Sequence, residues 1–248
     1  MHSTPLLFVR SILKTVVPTG PLSVLEVGSY DVNGSIKGDV RNSPLGPQLA
    51  EYIGVDLVEG PGVDLVASGS DLKFEDARFD LVMSLECFEH NPQWRETLEN
   101  MVRMLKPGGL CIITCASLGR PEHGTTRMDP SNSPGTQEIG WDYYQNLSLS
   151  DFRKAIAIED TFSEHTLQYS AIWNDLLFAG RKRGEIANLG FAGYPAARWV
   201  SAVKGSASVK RRITYYFERL LGSYLFQEFY VTVWRTFKPG GRSYPSGR

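Results

Sequence analysis

Apolar residues gather along the chain in short, nearly continuous runs. Five lie at residues 23–28, 52–57, 63–66, 79–84 and 110–114. Runs without polar alternation suit strands buried on both faces of a mainly parallel sheet. Two later stretches, 161–169 and 175–181, bring the predicted strands to seven. Between the fourth and fifth runs the spacing changes. Trp94, Leu98, Met101, Val102 and Leu105 recur at intervals of three and four, which predicts a helix over 92–105. Lys106-Pro107-Gly108-Gly109 is its expected stop. A further helix is expected over 150–158, capped by Ser148 or Ser150. Residues 5–17 read as a short amphipathic helix. Arg10 and Lys14 interrupt its apolar run and no small-residue cleavage site follows, so a leader peptide is not expected. Alternating strands and helices give an α/β fold with right-handed crossovers.

Residues 117–147 break the pattern. They are rich in Pro, Gly, Ser, Thr and charge, with Trp141, Tyr143 and Tyr144 near their end. A stretch this long inside a compact domain is expected to be a functional lid or a linker.

Composition narrows the class. The 248 residues are 42% hydrophobic and 21% charged, which excludes disorder, collagen and coiled coil. The three cysteines (Cys87, Cys111, Cys115) form no CxxC pair and no zinc spacing. A disulfide framework and a structural zinc are not expected, and a reducing, cytoplasmic compartment is. No apolar run is long enough to cross a membrane.

The net charge of −1 hides an asymmetry: residues 186–248 hold ten Lys and Arg against only Glu218 and Glu228. The expected division is an N-terminal helix at 1–19, a core domain at 20–183 with its lid at 117–147, and a basic, aromatic helical extension at 184–248. Within the extension, Val209, Ile213, Tyr216, Phe217, Leu220, Leu221, Tyr224 and Leu225 repeat at helical spacing. Such a helix is marginal in water unless its face is buried. Residues 205–237 are therefore expected to pack that stripe on the core or in a homodimer, leaving Lys210, Arg211, Arg212 and Arg219 exposed. The alternative is peripheral contact with an anionic membrane. Nucleic acid is not an expected partner, because the core is acidic and no RNA-binding motif occurs.

Ligands of open α/β sheets bind at the carboxyl ends of the strands. The first such end reads Glu26-Val27-Gly28-Ser29-Tyr30-Asp31-Val32-Asn33-Gly34-Ser35. Tyr30 stands where a dinucleotide fingerprint needs its second glycine, and no GK[ST] follows. The loop favours a nucleoside ligand without phosphates. Glu26-x-Gly28 after a strand resembles motif I of class I S-adenosylmethionine-dependent methyltransferases. Asp56 ends the second strand, as in that family. Residues 79–84 with Leu85-Glu86-Cys87-Phe88-Glu89-His90 resemble its fourth strand and turn, and Leu105-Lys106-Pro107-Gly108-Gly109 resembles the turn before its fifth.

The resemblance covers roughly residues 20–183 and implies a Rossmann-like sheet of seven strands with helices on both faces. It also implies S-adenosyl-L-methionine as cofactor. Glu26, Gly28 and Ser29, with Tyr30 and Gly34 of the same loop, would approach its methionine part. Asp56 would accept from the ribose hydroxyls and Leu57 would pack on the adenine. Ser70, Asp71 and Leu72 would border the adenine edge. Ser84 and Leu85 would line the floor near the sulfonium, and His90 would close the pocket.

A hydroxyl acceptor needs a base or a metal. His123, in Arg120-Pro121-Glu122-His123-Gly124-Thr125 just past the fifth strand, is the candidate base. His123, Asp129 and Asp142 also offer donors for a divalent metal, the less favoured route, because loop carboxylates are far more often solvated. Glu122 with Trp141, Asp142, Tyr143 and Tyr144 would contact an acceptor, since aromatic faces beside carboxylates suit sugars and flat rings. The expected activity is methylation of a hydroxyl on a small molecule or glycan. The alternatives are N-methylation of nucleic acid or protein, and a non-catalytic cofactor-binding scaffold.

Overall fold

The computed structural model describes residues 3–170, 172–192 and 209–237. Helix α1 (Ser3–Leu13) leads into strand β1 (Val16–Pro18), then β2 (Leu22–Val27), α2 (Lys37–Arg41), β3 (Leu49–Asp56), β4 (Leu65–Val66) and β5 (Phe79–Leu85). Helix α3 (Trp94–Met104) and β6 (Leu105–Ala116) follow. After the lid, with its short helix α4 (Pro134–Glu138), come α5 (Leu149–Ala155), α6 (Ile158–Thr161), β7 (Phe162–Ser170), β8 (Asp175–Lys182) and β9 (Leu189–Phe191). Helices α7 (Val209–Leu221) and α8 (Ser223–Phe237) end the described chain.

The main sheet has seven strands in the order β4-β3-β2-β5-β6-β8-β7. The first five pair in parallel, and β8 runs antiparallel to both β6 and β7. Alternate residues of each strand feed two cores, one on each face. Leu25, Val82, Cys111 and Ile113 point to the side of Trp94, Leu98 and Met101 on α3. Val24, Leu81, Met83 and Ile112 point to the side of Phe8, Val9 and Ile12 on α1. Strands covered on both faces have no wet side, hence the unbroken apolar runs.

Two details depart from the sequence expectation, and a third chooses between its alternatives. Lys106-Pro107-Gly108-Gly109 does not lie between helix and strand, because β6 already begins at Leu105. The ladder slips there, from Phe79 opposite Leu105 to Leu81 opposite Leu110. Gly108, at φ +81°, supplies the bulge. The N-terminal segment is tied to residues beyond 183, since β1 pairs antiparallel with β9. Helix α5 is capped by Ser148: its Oγ accepts from Asp151 N, and Asp151 accepts from Ser148 N in return.

The extension departs most. Helices α7 and α8 do pack on the rest of the chain, but not by the apolar stripe. Ile213 is 60% exposed, Leu220 83% and Tyr224 76%. The inward face carries Glu218, Phe226, Gln227 and Val231. Residues 193–208 and 238–248 of the expected extension lie outside the described residues. No described helix is long and apolar enough to cross a membrane.

Candidate functional site

Strands β2 and β5 are neighbours at the point where the strand order reverses, so a cleft opens beyond their carboxyl ends. The loop after β2 turns there on Gly28. Its φ is +82°, and a Cβ added to it would lie 2.5 Å from the Cys87 Cβ. Only glycine satisfies both the conformation and the space. Gly28 N and Ser29 N donate to Val55 O at 2.9 and 3.1 Å, docking the loop on the end of β3. The Asp56 carboxylate then accepts from Tyr30 N at 2.9 Å and from Leu57 N at 2.7 Å. Burial raises the Asp56 pKa, opposed by those two backbone bonds. Glu26 is buried one turn of the pleat below, and Tyr52 Oη donates to it at 2.5 Å. Burial pushes its pKa up to about 7.

Two adjoining cavities share walls at Gly28, Tyr30, Glu86 and His90. The smaller, about 90 Å³, is lined by Asp56, Leu57, Val55, Ala67, Ser68 and Trp141 among others. The larger, about 520 Å³, begins at Glu26, Ser29 and Tyr30 and runs outward past Leu85 and His123. A nucleoside with an amino-acid tail fits this pair. Asp56 keeps acceptor capacity beyond its two backbone donors, as a carboxylate has about four lone-pair sites. Ser29 Oγ is buried without a hydrogen-bond partner beside the larger cavity.

Most residues expected at the cofactor line these cavities: Glu26, Gly28, Ser29, Tyr30, Gly34, Asp56, Leu57, Leu85 and His90. Four do not. Ser70 donates to Gln93 Oε1 at 2.9 Å, Asp71 is exposed, and Leu72 packs in the α3-side core. Their place on the wall is taken by Ser68 and Gly69, one short turn earlier. Ser84 is fully buried beneath the floor.

The lid is folded down over both cavities. Leu147 N donates to Ala116 O at 3.0 Å and Gln145 N to Glu89 O at 2.8 Å. Its residues separate by role. Glu122 and His123 line the larger cavity, and Trp141 lines the smaller. Asp142 instead holds Thr126 through its backbone N and its hydroxyl, facing away from His123's cavity. Asp129 does line that cavity, so the expected donor set of His123, Asp129 and Asp142 is split. Tyr143 bonds Gln145 at 2.5 Å and lines neither cavity. Tyr144 lies under the two histidines, its ring 5.5 Å from His90 and 5.0 Å from His123.

The inner wall is where the chemistry concentrates. The rings of His90 and His123 meet edge to face at 5.0 Å. Burial lowers His90 to about 3 and His123 to about 4, so both imidazoles are neutral. Directly behind them lies Glu89, fully buried, its pKa raised by that burial and by Glu86. Arg120 joins Asp175 at 2.9 Å and lies 3.5 Å from Glu86. Burial opposes its charge, but Glu86 and Asp175 outweigh it and hold the guanidinium charged.

Sequence reasoning missed Glu86, Glu89, Arg120 and the outer wall. The signal for the first two was present: Glu86, Glu89 and His90 fall on a single turn after β5. The outer wall is built by Trp173, Lys210, Arg211, Thr214 and Tyr230, so helices α7 and α8 form the far side of the cavity. Arg211 stacks on the Trp173 ring at 4.1 Å. The buried Glu218 carboxylate accepts from Gly119 N, from Asn146 Nδ2 at 2.9 Å and from Ser223 Oγ at 2.6 Å. Gln227 accepts from Glu122 N and donates to Arg120 O, at 2.8 and 2.9 Å. Glu218→Ala should cost about 1–3 kcal/mol by stranding buried donors. Limited trypsin digestion checks it: cleavage after Arg212 and Arg219 should accelerate, and unchanged cleavage would contradict the tie.

Residues 42–113 match a family model described as a methyltransferase domain. A stretch of 48 residues is 46% identical to the chloroplastic tocopherol O-methyltransferase of Arabidopsis thaliana, covering 19% of this chain and only 14% of that protein. Among solved structures, the chain is similar to Haemonchus contortus phosphoethanolamine N-methyltransferase 2 in complex with S-adenosyl-L-methionine. The identity is 14%, the TM-score 0.48, and the match covers 67% of this chain and 50% of that one. It is also similar to the YcgJ protein of Bacillus subtilis, at 14% identity and TM-score 0.46, over 72% of this chain and 99% of that one.

Proposed function

Because the chain carries a methyltransferase domain of the class I, S-adenosylmethionine-dependent type, we propose that it methylates a hydroxyl of a small molecule or glycan. The inner wall of the larger cavity supports this reading. It presents neutral imidazoles and buried carboxylates where the acceptor must meet the methyl group.

Bound S-adenosylmethionine supplies an electrophilic methyl carbon. The chain supplies the rest. Asp56 and Ser29 orient the cofactor, and the folded lid excludes water. His123 Nδ1 lies 3.0 Å from Pro121 O. A carbonyl can only accept, so Nδ1 carries the proton and Nε2 keeps its lone pair. That lone pair is assigned to the acceptor hydroxyl, whose proton it takes. Trp173 and Tyr230 on the outer wall, beside Lys210 and Arg211, suit an oxygen-rich ring. Residues 209–237 thus belong to the acceptor site as well as to the extension.

The test is a screen with cofactor labelled by ¹³C in its methyl group. Glycosides, polyols and phenols are offered beside amines, peptides and RNA. The expected product carries the label on oxygen. A product labelled only on nitrogen, or none, would overturn the reading in favour of the amine acceptor or of a scaffold.

Two further assignments follow from the surface. The exposed stripe of α7, flanked by Arg212 and Arg219, is assigned to an anionic headgroup layer rather than to a second copy, whose like charges would repel it. Each cation near such a layer contributes about 1 kcal/mol. Sedimentation with phosphatidylserine vesicles should therefore occur at low salt and reverse at high salt. No sedimentation at low salt would remove the lipid assignment. Three free thiols support assigning the protein to a reducing, cytoplasmic compartment.

A further inference from the structure

We infer that Glu89, His90 and His123 form a divalent-cation site at the inner wall of the larger cavity. One ligand atom from each lies within 4.8 Å of the other two. These donors come from two segments, the turn after β5 and the lid, and meet only because the lid is folded down.

Their remaining valences are unspent. Both carboxylate oxygens of Glu89 are fully buried and make no hydrogen bond of normal geometry, with only the backbone amides of Glu89 and Ala116 near them, and His90 Nδ1 is buried without a partner. A buried carboxylate without a partner is costly, and native structures rarely leave one. His123 is already oriented as a ligand. Its Nδ1 is engaged by Pro121 O, which leaves Nε2 as the free donor. Glu86 reinforces the site. It lines the cavity and is held at φ +55°, a strained conformation for a non-glycine residue, and its Oε2 is buried without a hydrogen bond. Around the wall, Arg120 pairs with Glu86 and Asp175, and Glu89 makes no ion pair among the described residues.

Two imidazoles and one carboxylate are a donor set used by zinc, manganese and iron(II) sites that keep open positions. His90 and His123 line the cavity where an acceptor hydroxyl would bind. This chemistry rests on the hydroxyl reading above and deepens it. With the cation bound, the metal lowers the hydroxyl pKa, and His123 Nε2 serves as a ligand of the metal in place of the base role assigned above. The acceptor O–H bond breaks, its proton passes to water, and the O–CH₃ bond forms as the carbon–sulfur bond breaks with its electron pair left on sulfur.

The experiment uses the full chain stripped with EDTA and titrated calorimetrically with MnCl₂, then with ZnCl₂ and MgCl₂. One saturable site per chain is expected for at least one of these ions, weakened at least tenfold in His123→Asn and in Glu89→Gln. Glu89 is fully buried, so circular dichroism must confirm that each variant folds, and His123→Asn on the lid carries the test alone if Glu89→Gln does not. No saturable binding of any of the three, or equal binding by folded His123→Asn, overturns the site. Methyl transfer is measured separately. Full activity after EDTA removes the cation from the reaction while the hydroxyl reading stands. Saturable binding without O-methylated product keeps the site and removes the hydroxyl reading.

Discussion

Replacing His123 with alanine lowers turnover by about 10²- to 10⁴-fold while the affinity for S-adenosylhomocysteine is unchanged. The separation of the two effects follows from the placement of the ring. His123 comes from the lid and lines the larger cavity, whereas Asp56 and Leu57 line the smaller one. Deleting the imidazole removes the group assigned to the acceptor hydroxyl and leaves the residues of the smaller cavity standing. Single-turnover kinetics with the acceptor found in the labelling screen, next to calorimetry, makes the comparison. Normal turnover at saturating acceptor would contradict the role, and a parallel loss of cofactor affinity would show that the substitution has collapsed the lid.

Asp56→Ala weakens S-adenosylhomocysteine by about 3 kcal/mol, about two decades in Kd. Two losses contribute. The ribose hydroxyls of the proposed site lose a charged acceptor, and Tyr30 N and Leu57 N lose the partner that fixes the loop. Asp56→Asn keeps one carbonyl acceptor and should fall between the two. Competition against labelled cofactor measures all three proteins. Equal affinities would exclude Asp56 from the ribose.

The parallel strands and helix α3 were legible because burial on both faces writes itself as unbroken apolar runs, and burial on one face as a stripe. Gly28, Asp56 and His90 were legible because strand ends set positions in space. The orientation of α7 was not. Its apolar stripe predicts an inward face, yet Glu218, and Gln227 on α8, face in, with Leu220 left to solvent. The reason lies in the partner surface. The lid presents Gly119 N, Glu122 N and Arg120 O, polar groups that burial would strand, and Glu218 and Gln227 satisfy them. Hydrophobic period registers apolar area but not the backbone groups another segment leaves unpaired. Glu89 escaped for a related reason. Burial without a partner is visible only once β6, the turn and the lid are assembled around it.

The cofactor site carries everything else, and one titration tests it most directly. Calorimetry of the purified chain with S-adenosylhomocysteine should give saturable binding at one site per chain in the micromolar range, about −8 kcal/mol. Absence of heat and of competition with labelled cofactor at millimolar concentration would contradict the assignment of the Gly28–Asp56 cleft.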